Sequence, residues 1–577
     1  MKHLKMFVAI AMECIKRSKR KSIASIIISL IYAFISISVT YVIQIFIERC
    51  SNTDIMQCLL MSLFLGITII FSQCSMTLNI YYSHVAYLDM KKTLNKIFYE
   101  KVKKISTEDF ERSDVLDLLN KAQNGIDGYL SVFSLLQMLF FFYIPYFIGM
   151  EVYLYNLHQD LACIVVIIFV PEVVAQIVKV KYYSSLEDKT VQLVRNQKII
   201  EDSIIGKEYF KATRVNNAFD FLFKKLSSNM DLLGNKRRET ERKSAICEIG
   251  LKTITILGQL YAIILLLRSV AFGRITIGAF TAVFEAILLI TAYIEEIVCV
   301  YFGSVTKKVG LIRNYNLFLC YQSTQPKYTQ CQEDLIRFNQ ISYHYPMNPS
   351  WAVKNIDFEI KKGETVAIVG YNGAGKTTLA KIALGLLQPT DGTVYFGKTF
   401  LRNGRLSCTA LFQNYQKYKL SVKDNITISN HFFEDNDALK KLVKTVKLEL
   451  KSFPNGMETV LAAEFGGIEI SGGIWQRISL ARALYKPHKL IVLDEPTASI
   501  DPMEENRLYK TIKSICNDTT VLIITHRIGA AQLADNIIVL NDGSIAEHGS
   551  HKELLQQKGQ YYQMFYEQAK WYQLEHD

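Results

Sequence analysis

Gly370-Tyr371-Asn372-Gly373-Ala374-Gly375-Lys376-Thr377 is the stretch on which the reading of this chain turns. It fits the pattern Gly-x4-Gly-Lys-Ser/Thr. Val366-Ala367-Ile368-Val369 before it reads as a buried strand, and Thr378 to Leu386 after it as a helix. A phosphate-cradling loop requires that context. Its glycines let backbone N–H groups approach an anion, and the start of the helix favours negative charge. Lys376 is then expected to reach the outer phosphates of a nucleotide, and Thr377 to offer its hydroxyl to Mg2+.

The chain upstream has a different character. Half of the 577 residues are hydrophobic, an unusual share for a soluble protein and an ordinary one for a membrane protein. The formal net charge of +12 does not indicate nucleic-acid binding, because no basic low-complexity tail is present and the basic clusters flank apolar runs. Lys16-Arg17-Ser18-Lys19-Arg20-Lys21 directly precedes the first apolar stretch, as expected of a cytoplasmic N-terminus. That stretch is too long for a signal-peptide core, and no cleavage site follows it. The 11 cysteines are scattered without CxxC or Cys/His spacing, so neither a disulfide framework nor a zinc site is expected.

Six apolar stretches approach the length a bilayer helix needs. They run from about Ser22 to Ile47, Asp54 to Ile80, Leu130 to Tyr153, Leu161 to Val180, Ala245 to Leu267 and Ile275 to Tyr301. The first–second, third–fourth and fifth–sixth links are short. The second–third and fourth–fifth links are long, polar, helix-patterned and rich in lysine, which places them and both termini on the cytoplasmic side. The helices are expected to continue into the cytosol as long extensions with tips at Glu108–Ser113 and Ile205–Phe210, where an aromatic residue among charges would plug a groove on another domain.

Ionisable groups inside apolar stretches are costly and so mark candidate sites. Glu172, Glu248, Lys252, Glu285, Glu295 and Glu296 are such groups. Glu285 and Glu296 lie about three helical turns apart and fall near one face. They would either line a path for a cationic cargo, or the acids pair internally and shape the bundle.

Further motifs follow the phosphate loop. Leu490-Ile491-Val492-Leu493-Asp494 is an apolar strand ending in a carboxylate, with Glu495 next. Such an Asp can hold the magnesium shell, and such a Glu can polarise an attacking water. His526, after the strand Val521–Thr525, is placed to orient the terminal phosphate. Ile470-Ser471-Gly472-Gly473-Ile474-Trp475-Gln476-Arg477 resembles the signature motif of ATP-binding cassette transporters. Leu411-Phe412-Gln413-Asn414 resembles their Q-loop, Ser499-Ile500-Asp501 their D-loop, and Tyr345 before Pro346 their adenine-stacking aromatic. The apolar half resembles exporter-type half-transporters in layout.

The resemblance implies a six-helix membrane domain at residues 1–320, a linker at 321–335 and an α/β P-loop nucleotide-binding cassette at 336–577. It implies that Tyr345 stacks on adenine and that Gly370, Tyr371, Asn372, Gly373, Ala374, Gly375, Lys376, Thr377 and Thr378 hold the phosphates. Thr377, Gln413 and Asp494 would arrange Mg2+, with Glu495 as catalytic carboxylate and His526 as switch. Ser471, Gly472 and Gly473 would face ATP held by a second half-transporter, more readily a second copy than a different chain, and Asp501 would link the two sites. Ile474 departs from the usual glutamine, which implies a weakened but competent site.

Ala410–Leu420 and Glu464–Gly473 are similar to exporters of lantibiotics and other ribosomal peptides in Gram-positive bacteria. A leader-cleaving peptidase domain is not expected, since few residues precede Ser22. The implied activity is ATP-driven peptide export across the bacterial plasma membrane. A multidrug or lipid exporter of the same architecture is the alternative, and an ATP-gated channel or signalling role a third reading.

Overall fold

Apolar runs too long for a soluble core fold into helices that turn their side chains outward. The computed structural model describes residues 19–50, 55–157, 159–206, 209–297, 303–323, 328–346, 348–402, 405–430, 435–496 and 518–573, with a few isolated positions before 19. The chain divides into two units: residues 1–103 with 117–321, and residues 104–116 with 322–577.

The first unit is helical. Its long helices are Lys19–Cys50, Ile55–Val102, Ser113–Met138, Gln159–Ile205, Phe219–Ala271, Ile277–Glu296 and Gly303–Cys320. Among the described residues, five helices are long and apolar enough to cross a membrane, counting Ser113–Leu157 as one. The expected fourth stretch falls within Gln159–Ile205, where several side chains lie outside the described residues. Phe219–Ala271 has 53 residues, which is about 80 Å of helix against a ~30 Å hydrocarbon core. Such helices continue far beyond any bilayer, as the long polar links predict.

On Ile55–Val102, Leu60, Leu63, Phe64, Ile67, Ile70 and Phe71 are each more than half exposed. Water would not tolerate that stripe, whereas lipid supplies its apolar surroundings. The inward faces carry polar pairs instead. Ser29 Oγ donates to Asn79 Oδ1 at 2.7 Å, and Gln137 donates to Ser25 and Ser83. Small polar side chains let apolar helices approach closely and bond across the interface. The predicted third span is interrupted by one π-helical turn, Leu139–Tyr143. Pro145, just inside the next helix Ile144–Leu157, has no N–H to close an ordinary turn, so the backbone widens there.

The second unit is α/β. A six-stranded sheet runs in the order Ser544–Gly549, Asn536–Asn541, Thr365–Gly370, Thr520–Ile524, Leu490–Asp494, Cys408–Leu411. All neighbours are parallel except the first pair. Its inner strands are fully buried, which is why they read as unbroken apolar runs. A second, four-stranded sheet contains Leu335–Tyr343, Val353–Lys361, Asp391–Gly397 and Thr329–Cys331. The last of these corrects the linker expectation: Thr329–Cys331 pairs in parallel with Tyr395–Gly397, so part of 321–335 is sheet edge.

Candidate active site

In a parallel sheet all strands point one way, so the residues just past their C-terminal ends gather along one edge. Ile524 sits opposite both Asp494 and Ile368, and Leu411 opposite Leu493. The register therefore brings Gly370, Gln413, Glu495 and His526 around one cavity of about 320 Å³. Tyr371, Asn372, Met564, Glu567 and Gln568 complete its lining.

The phosphate loop folds as its glycines dictate. Gly375 has φ +93°, and a Cβ there would lie 2.3 Å from the Ala352 carbonyl oxygen. No side chain fits, so the backbone comes close enough to start the helix Lys376–Ala383 directly at the loop. Lys376 is buried and its Nζ donates to the carbonyls of Gly370 and Tyr371, both at 2.8 Å. Burial pulls this ammonium below the usual lysine range, against the opposing pull of the Glu495 and Asp494 charges. An anion in the loop would satisfy the same ammonium better than two carbonyls do. Thr378 is buried behind the loop, and its hydroxyl lies 3.3 Å from Tyr345 Oη.

The two carboxylates occupy different surroundings. Asp494 is 3% exposed, and Thr377 Oγ1 donates to its Oδ2 at 3.2 Å. Burial pushes Asp494 above the usual carboxylate range, opposed by the Thr377 bond. Glu495 is held on both oxygens: Gln413 Nε2 donates to Oε2 at 2.7 Å, and His526 Nδ1 lies 2.7 Å from Oε1. Its backbone is left-handed, at φ +48°, a conformation costly for a residue with a Cβ and one that clusters at functional sites. The Glu495 amide pins the turn by donating to Ile524 O at 2.9 Å.

A hydroxyl and one carboxylate beside a phosphate loop suit Mg2+, which binds through few protein oxygens plus substrate phosphates. Among the described residues, no group of three or more His, Cys, Asp or Glu is placed to hold a metal unaided. Thr377 and Asp494 thus fit the expected magnesium position. Gln413, expected beside them, bonds Glu495 instead.

Several expected residues stand outside the cavity lining, Gly373 to Thr378 and Asp494 among them. Neither Tyr345 nor Ser471, Gly472 or Gly473 is among the residues lining the cavity. Tyr345 packs edge-on against Tyr343, with Lys381 over its ring. Ser471 caps the helix Gly472–Tyr485, accepting from the Ile474 amide, and presents that helix start at the surface. Asp501 falls outside the described residues. Glu295 is ion-paired to Lys252 at 2.6 Å, and Glu248 to Lys179 at 2.9 Å. Those acids follow the internal-pairing reading. Glu285 is half-buried, with Oε2 enclosed and unbonded, whereas Glu296 is exposed. The two do not share one environment, because Glu285 lies on the packed side of its helix and Glu296 at the helix end.

The first tip belongs to the α/β unit. Ser106 caps the short helix Thr107–Phe110, its amide donates to Ser323 Oγ at 2.7 Å, and Glu111 pairs with Lys381 at 2.8 Å. Phe110 remains 39% exposed, so polar bonds rather than an aromatic plug hold this segment. In the second tip, Lys207 and Glu208 lie outside the described residues.

Some supporting bonds are announced by no motif, although Tyr415 and Gln476 lie within the stretches that carry the resemblance. Arg482 donates to Asn425 O and Oδ1, each at 2.8 Å, and to Gln416 O at 3.1 Å. Tyr415 donates to Gly472 O at 2.8 Å, and Gln476 donates to Pro496 O. These bonds tie the segment after Gln413, the Ser471 helix and the Glu495 turn together. Their acceptors are mostly backbone carbonyls, which leave no trace in sequence.

Comparison with known proteins agrees with this geometry. The ABC transporter family model matches residues 353–498. The nisin transport ATP-binding protein NisT of Lactococcus lactis subsp. lactis is 30% identical over 383 residues, 62% of each chain. The subtilin transport ATP-binding protein SpaT of Bacillus subtilis is 28% identical over 60% of this chain and 58% of that protein. An ATP-dependent lipid A-core flippase of Nitrosococcus oceani is 28% identical over 56% of each. The chain thus spans 62% or less of the length of these relatives. A bacterial Atm1-family ABC exporter with ATP bound aligns with TM-score 0.75 at 17% identity, covering 96% of this chain and 99% of that one. The chain therefore carries an ABC transporter domain at residues 353–498 within the overall fold of an ABC exporter.

Proposed function

We propose that this chain is half of an ATP-driven exporter that moves a peptide of the modified ribosomal or bacteriocin class out across a bacterial plasma membrane. The observation that carries the reading is the meeting of Lys376, Gln413, Glu495 and His526 at one sheet edge, in a chain that also has membrane-length apolar helices. Similarity to the nisin and subtilin transporters supports the peptide class. Similarity to lipid A-core flippases supports a lipid cargo as the second reading. The lysine-rich links favour a cytoplasmic location for the α/β unit and both termini.

Backbone amides of the phosphate loop and Lys376 bind the phosphates. Glu495 takes a proton from the attacking water. Its bonds to Gln413 and His526 fix the carboxylate's orientation. Bound magnesium would supply charge neutralisation on the outer phosphates, held by Thr377 and Asp494. In this reading the surface start of the Ser471 helix would meet a nucleotide held by a second copy, so closing two copies on two nucleotides would drive alternating access.

The test is transport into inside-out vesicles holding the purified protein. A fluorescent lanthionine peptide should accumulate with MgATP and not with Lys376→Ala, while a fluorescent lipid should not be moved. Lipid flipping without peptide uptake would favour the second reading. Movement of neither probe would count against export.

A further inference from the structure

The C-terminal helix Gln560–Gln573 does more than close the α/β unit. Its start is fixed from several sides. The amides of Gln560 and Tyr561 donate to the Glu547 carboxylate, Tyr561 Oη lies 2.8 Å from His551 Nδ1, and Tyr561 and Met564 are buried in a cluster with Val369 and Ile528. About two turns beyond Tyr561, Gln568 meets the backbone that carries His526. Its Nε2 donates to His526 O at 2.5 Å, and its Oε1 accepts from the Ile528 amide at 2.9 Å. One amide thus bonds both peptide groups that flank Arg527. On the same loop, the His526 ring lies 2.7 Å from Glu495 Oε1. Met564, Glu567 and Gln568 form a wall of the cavity that also holds Gly370, Gln413 and Glu495.

We infer that Gln568 is a positioning residue for hydrolysis: its side-chain amide clamps the His526 loop so that the imidazole stays against Glu495. The inference rests on the ATPase reading of this site. A carboxamide suits the task because it donates and accepts at once, and the loop offers one carbonyl and one N–H. The loop could otherwise shift by a rotation about its backbone, and small misplacements of a catalytic group are costly in rate. The helix therefore acts on turnover through His526.

The experiment compares full-length wild type with Gln568→Met, Gln568→Glu and Gln568→Ala. Met keeps the length and packing of the side chain but makes neither bond, and Glu can accept from Ile528 but cannot donate to His526. Steady-state phosphate release should fall at least about tenfold in kcat for Met and Ala, which lose both hydrogen bonds, and no less for Glu, whose second oxygen would face the His526 carbonyl. KM for ATP should stay within about twofold, since the phosphate loop is untouched. Amide exchange at residues 526–528 should quicken in all three variants. Near-normal kcat in Gln568→Met would overturn the inference by showing that the side chain only fills space. A loss seen mainly as raised KM, or without faster exchange in the loop, would overturn it too. Absence of any ATPase in wild type would instead remove the reading on which it rests.

Discussion

Asp494 and Glu495 are neighbours in sequence and opposites in environment. Asp494 ends a strand and is enclosed, whereas Glu495 turns out of the strand into the cavity. We expect Glu495→Gln to cut hydrolysis by about 10²–10⁴-fold, the range of a lost general base, while ATP binding persists. Phosphate release paired with a nucleotide-binding assay checks this, and loss of binding would show that Glu495 holds the loop together. Asp494 allows a signed pH argument. Its folded pKa is raised, chiefly by burial, so the fold favours the protonated acid. That stabilisation is full below the unfolded pKa and is lost as pH rises through the folded one. Ionising Asp494 as pH rises therefore weakens the fold, and the melting temperature of Asp494→Asn should gain on that of wild type with increasing pH. The variant should also lose magnesium-dependent hydrolysis. Thermal melts across pH that showed no such gain would mean the charge is compensated. These residues were legible in sequence because each follows an apolar strand in a known order. Gln568 and Arg482 were not, because they act on carbonyls and amides remote in the chain and an isolated Gln or Arg has many ordinary uses.

At the scale of elements, periodicity and length located the helices, while chemistry between elements stayed hidden. The long polar links announced helical extensions, but nothing in Glu108–Ser113 marked Ser323 as the donor to Asp109 or Lys381 as the partner of Glu111. The strand Thr329–Cys331 was missed because three residues beside a polar tract carry no alternation to read. The segment after Gln413 offers a test of such hidden ties. Asn425 is fully enclosed, and its amide nitrogen donates to the carbonyls of Tyr418, Leu420 and Ser421 while Arg482 donates to its oxygen. Arg482→Met keeps most of the packing and leaves that buried oxygen without its partner. It should cost about 2–3 kcal/mol locally, the penalty of a buried acceptor that loses a charged donor. Hydrogen exchange should quicken across residues 415–425 more than elsewhere. Uniform protection there would show that the bonds are redundant.

For the molecule as a whole, the decisive fact is separation within one chain. The cavity gathers the start of the phosphate loop, Gln413, Glu495 and His526, while the Ser471 helix start faces outward and is not among its lining residues. If that start completes a partner's site, two defects should complement. Lys376→Ala removes the loop cation from a chain's own site, and Ser471→Arg blocks what it lends to the other. Either variant alone makes a pair with two broken sites. Mixed in equal amounts and co-assembled, half of the pairs contain one of each, and such a pair holds one intact composite site beside one doubly broken site. Hydrolysis should then return to at most about a quarter of wild type, provided the intact site turns over alone. Sites confined to one chain would give no recovery in any mixture, because every chain carries a defect. A chain that pairs only with a different subunit would also give none, but wild-type protein purified alone would then fail to hydrolyse ATP. The wild-type rate and the mixing curve therefore distinguish a composite homodimer from both alternatives.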